Sequence, residues 1–115
     1  RKYLWPGLGE NWPPAAEQPG VEEVKKRFLY RQAVEAARCL EEGVLTDPAD
    51  GDIGAIFGWG FAPFTGGPFS LIDGVGVDAV VRECDRLAQQ YGPRFAPPRL
   101  LRDMAACGES FYGGK

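Results

Sequence analysis

Apolar residues recur with helical spacing over most of the chain. From Val21 to about Glu42 they fall at Val21, Val24 and Phe28, then Leu29, Ala33, Ala36 or Ala37, Leu40 and Val44. That i, i+3/i+4 series predicts the longest helix. Glu22 and Glu23 suit its N-terminus, and Gly43 is a plausible stop. Small residues at 33, 36 and 37 would let another helix approach closely, so this helix is expected at the centre. The cleanest amphipathic run is Val77 to Tyr91, with apolar residues at 77, 80, 81, 84, 87, 88 and 91. Gly92-Pro93 ends it.

Three shorter helices complete the pattern. Thr46 or Asp47 can cap one that has Pro48 at its first position, an apolar face of Ile53, Ile56 and Phe57, and its end at Gly58. Pro68 opens a second through Phe69, Leu71 and Ile72, closing at Gly74 or Gly76. Pro97-Pro98 opens the last, with Leu100, Leu101, Met104 and Ala105 on one face and Gly108 as its stop. No segment alternates as a strand. The fold class is therefore all-α, a compact bundle of about five helices, two of them short, around one long central helix.

Between these helices lies DIGAIFGWGFAPFTGGPFSLID, residues 52–73, neither helical nor alternating throughout. Gly58, Gly60, Gly66 and Gly67 allow turns and close approaches, while Pro63 and Pro68 break any ladder. Trp59, Phe61, Phe64 and Phe69 are expected to be buried, making a compact aromatic turn wedged between helices. Asp73 is expected to be partly buried, as a cap or an arginine's partner. Residues 1–20 carry four prolines, three glycines and two tryptophans, a composition that excludes a regular helix. They read as a linker remnant or as an arm laid over a neighbouring surface through Trp5, Leu8 and Trp12. Phe111 and Tyr112 of the ending SFYGGK could fold back onto the core.

Composition adds limits. With 115 residues, 44% hydrophobic and 25% charged, the chain fits one soluble domain. Thirteen basic and sixteen acidic residues are interspersed, giving −3 and no basic face, so nucleic acid is not an expected partner. No apolar run is long enough to span a membrane, and no signal peptide is visible. Cys39, Cys84 and Cys107 lie far apart without metal-ligand spacing, and read as buried, reduced thiols of a cytoplasmic protein. The chain starts at Arg1, which reads as a piece of something longer.

Candidate chemistry is sparse. Histidine is absent, which removes the commonest general base and metal ligand. Neither a dinucleotide fingerprint, a P-loop nor a nucleophile elbow occurs. Asp47, Asp50 and Asp52 lack the spacing of a calcium loop and read as helix capping. Lys25, Lys26 and Arg27 form a short basic cluster, ordinarily a solvated face, which a phosphate-bearing ligand could use.

Two stretches, RFLYRQAVEAARCLEEGVLTDPADGDIGAIFGWGFAPFTGGPFSLIDGVG and YGPRFAPPRLLRDMAACGESFY, resemble the C-terminal helical domain of 3-hydroxyacyl-CoA dehydrogenases. The likeness is greatest to the last such domain of bacterial multifunctional fatty-acid oxidation proteins, which fuse an enoyl-CoA hydratase to the dehydrogenase. It covers residues 21–112, leaving 1–20 as an arm and 113–115 as a tail. The resemblance implies a fold like the C-terminal domain of 6-phosphogluconate dehydrogenase. It implies that NAD and the catalytic pair belong to a separate Rossmann domain, with no cofactor, metal or catalytic residue in this one. Implied partners are that Rossmann domain, a sister helical domain, a possible homodimer partner and the acyl-CoA substrate.

In the family's substrate-facing copy an Asn-Arg pair opens the first long helix. Lys26 and Arg27 stand at the matching positions, so only Arg27 keeps the pattern. The resemblance thus implies a packing or dimerisation scaffold without turnover, in which Gly58, Gly60, Gly66, Gly67, Pro68 and Asp73 form a structural turn. Two other readings are an acyl-CoA-binding module that closes over the substrate tail, and a stand-alone oligomerisation domain. Saturable acyl-CoA binding would mark the first, and a monomer–dimer equilibrium the second.

Overall fold

The computed structural model describes residues 2–113. Of the expected tail 113–115, Gly114 and Lys115 lie outside the described residues. Among the described residues six α-helices follow one another: α1 Leu8–Asn11, α2 Val21–Glu41, α3 Pro48–Trp59, α4 Pro68–Val75, α5 Val77–Tyr91 and α6 Arg99–Cys107. Single 3-10 turns occupy Pro63–Thr65 and Pro93–Phe95. Among the described residues there is no strand. The all-α expectation holds, with α2 packed against α4, α5 and α6.

The core is built from one face of each helix. Tyr30, Ala33, Val34 and Ala37 of α2 meet Ile72 of α4, Val80, Cys84 and Leu87 of α5, and Leu101 and Met104 of α6. The α5 stripe is buried or half-buried at every position the periodicity names. On α2 the stripe is rotated from the one expected. Tyr30 and Val34 point inward, whereas Val21, Phe28 and Val44 are exposed. Tyr30, Ala33, Val34 and Ala37 keep the 0, 3, 4, 7 spacing of a helix face on their own. Phe28 belongs to a second face that the core does not use.

Two helices are started by carboxylates from elsewhere in the chain. The first N–H groups of a helix have no partner inside it. At α6 the Leu100 N–H donates to Glu41 at the end of α2, at 2.7 Å. At α4 the donors meet Asp52 of α3. The local reading does hold at α3 itself, where Asp47 accepts from the Ala49 N–H at 2.8 Å.

Four expectations are corrected. First, α3 runs through Gly58 to Trp59, and Gly60, at φ 77°, caps it. The Phe61 N–H then reaches back to the Ala55 carbonyl at 3.1 Å, the closing bond of a left-handed glycine cap. Second, residues 1–20 do contain a turn of helix. No proline lies between Pro6 and Pro13, so α1 fits in that gap. None of its residues is buried, and Trp5 and Trp12 are exposed, so the arm does not cover this domain. Third, Ile53 and Phe57 do not bury the face expected of α3. Fourth, the cysteines are free but only Cys84 is buried. Cys39 is half-buried and Cys107 is exposed at the end of α6, where the helix has run off the core. Burial pushes the Cys84 thiol up to about 12, leaving it a small hydrophobe rather than a nucleophile.

Candidate functional site

The corner between α3 and α4 is held by one buried carboxylate. Asp52 is 4% exposed. It accepts from the Phe69 N–H at 2.7 Å, the Ser70 N–H at 3.1 Å, the Ser70 hydroxyl at 2.7 Å and the Tyr112 hydroxyl at 2.6 Å. Phe69 and Ser70 are the second and third residues of α4, so a negative group sits where the helix end favours it. Gly67 precedes Pro68 at φ 117°, and a Cβ there would run into the Asp52 side chain. Glycine is thus required twice at that position, for its backbone angle and for the carboxylate's approach.

Asp73, at the far end of α4, is half-buried as expected, but as neither a helix cap nor an arginine's partner. Its oxygens accept the Phe111 and Tyr112 N–H groups, each at 2.9 Å, and hold the C-terminal segment down. Phe111 then meets the fully buried Phe69 edge-on at 4.8 Å. The fold-back of Phe111 and Tyr112 is as the sequence suggests. Burial, then the hydrogen bond to Asp52, pushes the Tyr112 phenol up to about 12.

The aromatic turn is half buried and half bare. Phe61 and Phe69 are inside, but Trp59 is 69% and Phe64 87% exposed. The Trp59 indole N–H donates to Gln32 at 3.2 Å, and both residues line an apolar groove of about 400 Å³ between α2 and α3. Small residues Ala36, Gly54 and Ala55 are part of its lining. Ile53 and Phe57, four apart on α3, present an outward apolar stripe, with Phe57 85% exposed.

Lys26 and Arg27, adjacent in sequence, have different surroundings. The Lys26 ammonium pairs with Glu83 of α5 at 2.9 Å. Arg86 joins the same network, with 2.7 Å contacts to Glu83 and to Glu23, and the Tyr91 hydroxyl donates to Glu23 at 2.9 Å. Arg27 has no carboxylate partner among the described residues, and its guanidinium lies 4.1 Å from the centre of the Tyr91 ring. It faces a groove of about 500 Å³ shared with Arg31 and Arg94. What the sequence reading missed is that Asp52 caps α4 rather than its own helix, and that Arg27 shares a groove with Arg94. The buried network has no local signature, and Arg94 is a lone basic residue 67 positions from Arg27.

The α2–α5 network sets an acid limit. Hydrogen bonds from Arg86 and then Lys26 hold the Glu83 carboxyl down to about 2, against an ordinary 4.5. Glu23 is lowered chiefly by Arg86 and then Tyr91. Groups that ionise more readily when folded stabilise fully above their unfolded pKa and lose that contribution as pH falls through the folded one. The melting temperature should therefore be level from pH 7 to 5 and fall between about 4.5 and 2. Glu83→Gln should melt lower at pH 7 and show a shallower acid fall. An equally steep fall in that variant would remove the network from the account.

Residues 24–111 match the family model described as 3-hydroxyacyl-CoA dehydrogenase, C-terminal domain. The chain is 48% identical over 100 residues to the fatty acid oxidation complex subunit alpha of Shewanella amazonensis, an alignment covering 87% of this chain and 14% of that protein. The subunit of the same name from Shewanella loihica is 49% identical over 87 residues, 76% of this chain and 12% of the relative. The chain therefore spans only about a seventh of the length of these relatives.

Proposed function

The chain belongs to the family of 3-hydroxyacyl-CoA dehydrogenase C-terminal domains, and from that premise we propose that it is a packing domain of a longer fatty-acid oxidation protein. The observation that carries this reading is the bare apolar surface of α3 and the turn after it. Ile53, Phe57 and Phe64 are large, apolar and exposed, although core positions elsewhere are filled. Side chains of that kind, two of them at helix spacing, suit a surface that another domain covers. A sister helical domain of the same parent fits best, with a second copy of this chain as its substitute when the chain stands alone.

The dehydrogenase reaction of such a parent passes a hydride from C3 of a 3-hydroxyacyl-CoA to NAD+ and the hydroxyl proton to a base, giving the 3-ketoacyl-CoA and NADH. Binding of NAD and the catalytic acid–base pair then fall to a Rossmann domain, and enoyl-CoA hydration to a further one. This chain contributes no histidine to that chemistry. In this reading the parent works in the cytoplasm, a compartment in which unpaired thiols are ordinary. Among the described residues no helix is long and apolar enough to cross a membrane.

The 115-residue chain, supplied with a 3-hydroxyacyl-CoA and NAD, should give no NADH above the rate without protein. Turnover dependent on the chain would overthrow the scaffold reading. The acyl-CoA-closing alternative has one supporting feature, the open Arg27. Lys26 weakens it, since its charge is already engaged by Glu83.

A further inference from the structure

Across residues 21–112 every lysine and arginine but two lies within 3.4 Å of a carboxylate oxygen. The two are Arg27 and Arg94. They are 67 residues apart in sequence, yet both line the same groove, between the first half of α2 and the turn at Pro93–Phe95. Arg31 adds a third guanidinium, held at one nitrogen by Glu35 at 2.9 Å. In a chain of net charge −3, three arginines meet here with a single carboxylate among their described partners.

Aromatic rings carry the two unpaired cations in place of counter-ions. The Arg27 guanidinium stands 4.1 Å from the centre of the Tyr91 ring, and that of Arg94 stands 5.4 Å from the centre of Phe95. The two rings meet edge-on at 6.1 Å, and Phe95 is buried. A cation over a ring face is steadied by the ring's electrons and keeps its N–H donors for something else. Planar guanidiniums with free donors match phosphoryl oxygens, which accept paired hydrogen bonds. Beside them Phe28 leaves a ring 67% exposed.

We propose that this groove binds an organic phosphate, its phosphoryl oxygens taken by Arg27, Arg31 and Arg94 and its flat or apolar part resting on Phe28. The groove's volume of about 500 Å³ has room for a small ligand, within the roughly 300–1,000 Å³ of such sites. The site is separate from the outward stripe of α3, so it neither needs nor excludes the packing reading.

Isothermal titration of the whole 115-residue chain with ADP as the probe tests it. ADP should bind saturably with a Kd below about 1 mM, pyrophosphate more weakly, and adenosine more weakly still. Arg27→Gln and Arg94→Gln should each weaken ADP by about tenfold or more, with helical circular dichroism unchanged. Phe28→Ala, an exposed change that spares the core, should weaken ADP and leave pyrophosphate alone. Lys25→Gln, outside the groove, should leave both as they are. The proposal is overturned if neither ADP nor pyrophosphate saturates by about 10 mM, or if ADP binding survives both arginine changes. Equal affinity for pyrophosphate and ADP would remove the organic part of the ligand. Tighter arginine-dependent binding of an acidic peptide would make the groove a protein contact instead.

Discussion

Phe69→Ala should destabilise the fold by about 3–5 kcal/mol, the range for emptying a buried phenylalanine site. The ring is fully buried, makes the edge contact with Phe111, and occupies the space that a Cβ on Gly51 would need. It therefore joins three parts of the chain, namely α3, α4 and the C-terminal segment. Little can collapse into its place, because Gly51 has no side chain to extend. At several degrees per kcal/mol for a domain of this size, the melting temperature should fall by more than about 12 °C. Phe64→Ala, four-fifths exposed or more, is the matched control and should stay within about 0.5 kcal/mol. Denaturant unfolding of the two variants side by side decides the matter. A loss below about 1 kcal/mol for Phe69→Ala would show that the corner is not a fixed joint.

Asp52→Ala should cost about 2–4 kcal/mol, from lost hydrogen bonds to an ionised group and from donors left without a partner. The Phe69 N–H is the worst affected, since it is buried at the start of α4, where no carbonyl of its own helix can take it. Asp52→Asn keeps the shape and one acceptor oxygen, and should fall between alanine and the native residue. An optical readout accompanies the stability change. The Tyr112 phenol is pushed up to about 12 by burial and by its bond to Asp52, so in Asp52→Asn it should ionise at lower pH. The sign follows from the charge, because a phenolate beside a carboxylate is disfavoured and one beside an amide is less so. Absorbance of the tyrosinate, followed through the alkaline range, reports it. An unchanged titration would mean that Tyr112 and Asp52 are not partners in solution.

The helices were legible in the sequence because their cause is local. Period, proline starts and glycine stops are written in neighbouring residues, and α5 was readable down to each buried side chain. The joints were not, because theirs is not local. Asp52 reads as one more acidic residue near a helix start until α4, seventeen residues on, brings its N–H groups to it. Glu41 caps α6 from 59 residues away. Two faces of α2 are apolar enough to be core, and only the packing of α4, α5 and α6 selects Tyr30 over Phe28. The aromatic turn was expected to bury all four of its rings, yet Trp59 and Phe64 are bare. Their exposure, with that of Phe57, is what points beyond this chain. Lys26 and Arg27, paired by sequence and by the family resemblance, part company because Glu83 reaches one and Tyr91 the other.

The central claim is that the outward face of α3 is a packing surface. Sedimentation equilibrium of the chain from about 3 to about 300 μM, beside Phe57→Glu, tests it most directly. The account predicts concentration-dependent self-association of the native chain, and a monomer of unchanged helical content for Phe57→Glu. A native chain that stays monomeric throughout, or a Phe57→Glu variant that associates as well as the native, would contradict it.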